Sequence, residues 1–187
     1  MRYAFAMILT LFSSAALLGQ PQLATKHVLS LNAAKRIAEA AEKDALKRGS
    51  TVVIAVVDDE GHLLVLERLD DTQVASVEVA IGKARTAAIF RRPSKDFEDQ
   101  IKNGRVAALA LPGATPLQGG IPILFAGKVV GAIGVSGNTP QEDEDIAKAG
   151  AAASPTDHQT VQEMWRYPVI MMASKHRNWV HHALNTL

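Results

Sequence analysis

A run of seven residues, Thr51-Val-Val-Ile-Ala-Val-Val57, carries no charge and is dominated by β-branched side chains. Such residues are stiff at χ1 and pack well on a pleated surface, so the run suits a strand buried on both faces. The rest of the chain must therefore supply cover on two sides. Asp58-Asp-Glu-Gly61 has the composition of a turn, and His62 to Leu69 reads as the returning strand of a hairpin. A second hairpin follows later: Gly119-Gly-Ile-Pro122 leads into Ile123-Leu-Phe125, then the turn Ala126-Gly-Lys128, then Val129 to Val135.

The cover comes from helical patterns. Ser30 is placed to cap a helix from about Leu31 to Arg48, with Ala34, Ile37, Ala38, Ala41 and Ala45 on one face and Gly49 at its end. Glu39 and Lys43, four apart in the favourable order, lie on its wet side. From Thr72 to Phe90 the residues Val74, Val77, Ile81, Ala84 and Ala88 recur at helical spacing. Pro93 interrupts this pattern, and Ser94 is expected to cap a short helix over Lys95 to Lys102. Residues 104–118, with Gly104, Pro112, Gly113 and Pro116, read as a long surface loop. Thr139 or Pro140 starts a last helix through Ala153, and its acidic head, Glu142 to Asp145, is accounted for by the helix dipole rather than by a metal. The order helix, hairpin, helix, short helix, hairpin, helix predicts an α+β fold. It consists of an antiparallel sheet of four to five strands with helices packed on it, a profilin-like or PAS-like layer.

A chain of 187 residues is long enough for one core, and a formal net charge of +1 leaves no electrostatic footprint for nucleic acid. With no cysteine, disulfides, zinc–thiolate sites, iron–sulfur clusters and thiol nucleophiles are all excluded. Arg2 followed by the uncharged run Tyr3 to Leu18 has the layout of a secretory signal, with cleavage expected after Gly19 or Ala24. Residues 1–24 are thus expected to be a signal peptide, or else an uncleaved anchor, and the protein to be periplasmic or secreted, with no stable span once the signal is removed. Residues 25–153 form the domain, and 154–187 a C-terminal extension of unassigned role, holding Trp165, Trp179 and four of the six histidines.

Several segments resemble one known family. Val56-Val-Asp-Asp-Glu-Gly61 followed by Glu67-Arg68-Leu-Asp70 is similar to a VVD-x-x-G and R-x-D signature. Lys83-Ala-Arg-Thr86-Ala87 with Phe90 and Pro93 resembles K-A-x-T-A, Gly119-Gly-Ile-Pro122 resembles G-G-x-P, and Gly131-Ala-Ile-Gly-Val-Ser-Gly137 resembles G-A-I-G-V-S-G. In this order, and over roughly two-thirds of the chain, they identify residues 28–150 as similar to the GlcG/HbpS-like haem-binding family, related also to the C-terminal domain of PduO. Ser94 departs from the family's usual Thr, and the segment after about Ala153 has no counterpart. The resemblance implies an exported haem-binding protein for storage, scavenging or sensing, working as a homo-oligomer. Two other readings are an enzyme or accessory protein of small hydroxy-acid metabolism and a corrin-binding or structural module. An enzyme is the lesser expectation, since no nucleophile triad, metal motif or phosphate loop can be defended from spacing.

The candidate ligand residues are Arg68, Asp70, Lys83, Thr86, Phe90, Gly119, Gly120, Pro122 and Ser136. Arg68 and Asp70, two apart on a strand, either pair with each other or leave Arg68 for a propionate. Lys83 and Thr86 share a helix face. Lys83 suits a carboxylate, while the Thr86 hydroxyl either meets the ligand, as the resemblance implies, or bonds back to its own helix. Gly120 and Gly134 either admit a ligand or allow tight strand packing. The expected pocket has Phe90, Ile121 and Ile133 as walls and Arg68 or Lys83 at the rim. The axial ligand stays open among His27, His62 and the histidines of the extension.

Overall fold

The computed structural model describes residues 23–155. The expected signal segment before residue 23 and most of the C-terminal extension lie outside the described residues.

The first helix, α1 (Leu31–Arg48), is capped as its sequence predicts. The Ser30 Oγ accepts from the Ala33 N–H at 3.2 Å, and the Gly49 N–H closes the last turn on Ala45 and Leu46. Next come β1 (Val53–Asp58) and β2 (Leu63–Arg68), then α2 (Ser76–Ile89) and α3 (Lys95–Lys102), then β3 (Gly120–Phe125), β4 (Lys128–Ser136) and α4 (Pro140–Ala151). The element order is the one expected. The four strands form one antiparallel sheet in the order β2-β1-β4-β3, so the uncharged run sits in its middle. The Pro-containing strand β3 lies at an edge, where a missing ladder donor is tolerated.

Both faces of β1 are buried, and its alternating side chains divide the core in two. Ile54 and Val56 pack with Ile37, Ala41, Ile133 and Ile146 beneath α1 and α4. Val53, Ala55 and Val57 pack with Ala132 and the alanines Ala80, Ala84 and Ala87 beneath α2. The small residues of that second face let α2 lie very close to β4. A Cβ on Gly134 would stand 2.2 Å from the Ala80 carbonyl oxygen, so the glycine serves packing.

Three expectations are corrected. Helix α2 begins at Ser76, not Thr72, because the Thr72 hydroxyl donates to the Val52 carbonyl at 3.3 Å and holds Thr72 outside the helix, with Val74 and Ala75 in a turn before it. Residues 104–118 are not wholly irregular, since Val106–Ala110 forms a 3-10 turn. Ser94 does not cap α3. Its Oγ donates to the Leu117 carbonyl at 2.5 Å and accepts from the Gly120 N–H at 2.8 Å, tying the incoming loop to the start of β3.

Candidate functional site

Of the residues singled out by sequence, Lys83, Gly119, Gly120 and Ser136 come together, and the structure makes them a packing knot. Lys83 is 4% exposed. Its Nζ donates to the Asp143 carboxylate at 2.7 Å and to the Val135 carbonyl at 2.9 Å. Asp143 also accepts from the Asn138 N–H at 3.1 Å. Burial pushes the Asp143 carboxyl above its ordinary range, against the opposing pull of Lys83 and the neighbouring N–H groups. The pair runs around the end of the sheet, where β4 finishes and β3 starts, and so joins α2 on one face to α4 on the other. Both charges are satisfied by each other and by backbone, as burial demands.

Backbone and side chains pack closely around them. A Cβ on Gly120 would fall 2.2 Å from the Lys83 carbonyl oxygen. The Ser136 hydroxyl faces that of Ser76 at 3.4 Å. Thr86 is fully buried; its hydroxyl donates to the Gly82 carbonyl at 2.8 Å and accepts from the Thr115 N–H at 2.7 Å. Of the two options for Thr86, the bond to its own helix is the one formed, with a loop added. The acidic head of α4 likewise does more than complement a dipole. Asp143 is the buried counter-ion of Lys83, Glu142 accepts from the Ser50 hydroxyl, and Glu144 pairs with Lys148 at 2.5 Å.

The pocket assembled from sequence does not form. Ile121 and Ile133 point to the α1–α4 side of the sheet, while the Phe90 ring packs tilted against Phe97, with centroids 4.9 Å apart, where α2 gives way to α3. Lys83 is no rim residue. Arg68 ends β2, on the sheet edge opposite β3, and Asp70 lies beyond the strand in the following turn. Both are exposed and carry no ion pair among the described residues, so the anticipated Arg68–Asp70 pair is absent. Pro122 is half-buried in β3, opposite Ala132. The groups that a hydroxy-acid enzyme would need, Arg68, Asp70, Lys83 and Asp58, are dispersed. Asp58 is taken by the N–H groups of Glu60 and His62.

The concave surface lies elsewhere. A groove of about 270 Å³ opens between the start of α1 and the β3–β4 hairpin, walled by Val28, Leu29, Ala33, Ile123, Phe125 and Val130. A larger cleft of about 650 Å³ adjoins it, with Lys26, Arg91 and Lys128 on its walls. The two share His27, Leu124 and Val130, so an apolar end meets a cationic end. The His27 ring packs against Phe125 with centroids 4.8 Å apart. Lys26 is held by Asp59 at 2.9 Å and by Glu60 at 3.2 Å, whereas Arg91 and Lys128 have no carboxylate partner among the described residues. Among the described residues no group of three or more His, Asp or Glu stands together as a metal site, and no helix is long and apolar enough to cross a membrane.

A four-stranded antiparallel sheet between α2 on one face and α1 with α4 on the other, with an amphiphilic depression at its edge, defines an α+β domain. Residues 29–152 match the family model described as haem degrading protein HbpS-like, and the chain belongs to that family. It is 44% identical to protein GlcG of Escherichia coli K12 over 112 residues, which is 60% of this chain and 84% of GlcG. The fold is similar to the crystal structure of HbpS, with TM-score 0.65 and 36% identity over 70% of this chain and 93% of that one. It is also similar to the crystal structure of a PduOC–heme complex, with TM-score 0.62 and 27% identity over 68% of this chain and 95% of that one.

The depression was not anticipated from sequence as a site. His27 and the hairpin turn around Lys128 were visible there separately, but nothing in their spacing of about a hundred residues joins them.

Proposed function

We propose that this protein binds haem in the depression around His27. The carrying observation is the junction of an apolar groove with a cationic cleft at an imidazole. Haem has an apolar face, two carboxylates at one edge and an iron that accepts imidazole, and each meets a suited group here. The likeness to a PduOC–heme complex supports the same reading. Leu29, Ile123 and Phe125 would hold the porphyrin face, Arg91 and Lys128 the carboxylates, and His27 the iron. Bound haem would supply redox-active iron; the chain supplies orientation, charge and partial exclusion of water. The depression is open on one side. Leu63 and Leu66, exposed on β2, support a homo-oligomer. The uncharged run after Arg2 supports a role outside the cytoplasm.

Titration of the full chain with haemin tests this. A saturable Soret shift at one haem per chain or per dimer is expected. His27→Ala is expected to weaken binding about tenfold or more and to change the spectrum. A response no larger than that of a control protein overturns the reading, as does a spectrum indifferent to His27→Ala.

A further inference from the structure

The apolar groove sits where the described chain ends. Ser154 and Pro155 form part of its wall, facing Val28, Leu29, Ile123, Leu124 and Phe125. Val28 and Leu124, on its rim, are 68% and 52% exposed, a cost the isolated domain leaves unrelieved. Beyond Pro155 come eight mostly polar residues, 156–163, and then Met164-Trp-Arg-Tyr-Pro-Val-Ile-Met-Met172, in which only Arg166 is charged. Both tryptophans of the protein, Trp165 and Trp179, fall in this extension. The family match stops at residue 152, ahead of this extension.

We propose that residues 164–172 fold back into this groove and fill it in the haem-free chain. Eight residues span at most about 26 to 29 Å when extended, enough to return from Pro155 to a groove that Pro155 itself lines. A tether this short gives a local concentration in the millimolar range, so modest apolar contacts suffice. An indole or a pair of β-branched side chains matches a groove of about 270 Å³ lined mainly by aliphatic residues and Phe125, with His27, Ser30 and Arg36 also on its wall. The polar stretch before it has no reason to remain there. The apolar stretch has one.

The test uses intrinsic fluorescence of the full chain without haem, in a Trp179→Phe background that leaves Trp165 as the sole reporter. The expected result is emission well to the blue of N-acetyltryptophanamide, with acrylamide quenching several-fold weaker. Val28→Lys with Leu124→Lys, both at exposed rim positions and checked for retained fold by circular dichroism, is expected to red-shift emission and restore quenching. Solvent-like emission before the rim is changed overturns the proposal. So does protected emission that ignores the rim substitutions, which would place the segment elsewhere. Protection lost on dilution puts it in the groove of a second copy and overturns the intramolecular form. No arm contains haem, so failure of the haem reading leaves this result unaffected.

Discussion

The Lys83–Asp143 knot and the His27 depression are both polar interruptions of an apolar fold, yet they are built in opposite ways. In the knot Lys83 and Asp143 are buried against each other, Lys83 also donates to the Val135 carbonyl, and glycine at 120 removes even the space of a methyl group. In the depression, Arg91 and Lys128 stand without carboxylate partners among the described residues, beside exposed aliphatic surface. The segments most recognisable in sequence, K-A-x-T-A, G-G-x-P and G-A-I-G-V-S-G, converge on the first. A demanding pattern of residue types can therefore mark where three elements must touch rather than where a ligand enters.

Removing one partner of the knot gives the largest expected effect. Lys83→Met leaves Asp143 as an uncompensated buried charge and is expected to cost about 3 to 5 kcal/mol. Urea unfolding measures it. Adding Asp143→Leu should recover much of that loss, and a single substitution that costs nothing would show that the pair is not buried in solution. Haem affinity of whatever Lys83→Met protein remains folded should equal that of the unsubstituted chain.

Thr86→Ala separates the two regions more finely. It strips a partner from the Thr115 N–H and is expected to cost about 1 to 3 kcal/mol while leaving the haemin spectrum unchanged. A normal melting temperature with an altered Soret band would return Thr86 to the ligand and break the division between knot and site.

The smallest expected effect concerns Glu67, on β2 opposite Ile54, whose Oε2 is buried without a hydrogen bond. Burial, with the nearby charges of Glu42 and Glu39, pushes its carboxyl above the ordinary value. A carboxyl raised in the folded state holds its proton there at pH values where the unfolded chain has lost it. Its contribution to stability therefore grows as pH falls through the raised folded value towards the ordinary one, and is lost as pH rises. Glu67→Gln should remove that dependence and raise the melting temperature slightly at pH 7, because an amide can donate to the neighbouring carboxylates. Unchanged pH dependence would show that Glu67 is solvated in solution.

Much of the fold is legible in the chain's residue order because its signals are local. Ser30 and Thr139 are caps, Gly49 is a stop, and the β-branched run of β1 can only lie between two layers. Ser94 shows where local reading fails. Its sequence context is that of a cap, but a loop carbonyl and the first N–H of β3 offer its hydroxyl better partners. The polar knot was less legible. Lys83 and Asp143 are sixty residues apart, and acidic residues at a helix start already have a sufficient explanation in the dipole.

The sequence by itself determined which segments are strands and helices, their order, and membership of a family, since periodicity, capping and motifs act over a few residues at a time. Only the tertiary structure decided which polar residues are consumed and which are left facing water. That choice depends on strand register, which sends Ile133 and Ala132 to opposite faces of one sheet, and on the meeting of the α1 start with a hairpin a hundred residues away. A side chain's chemistry is set by what else occupies the space around it, and chain order does not encode that space locally.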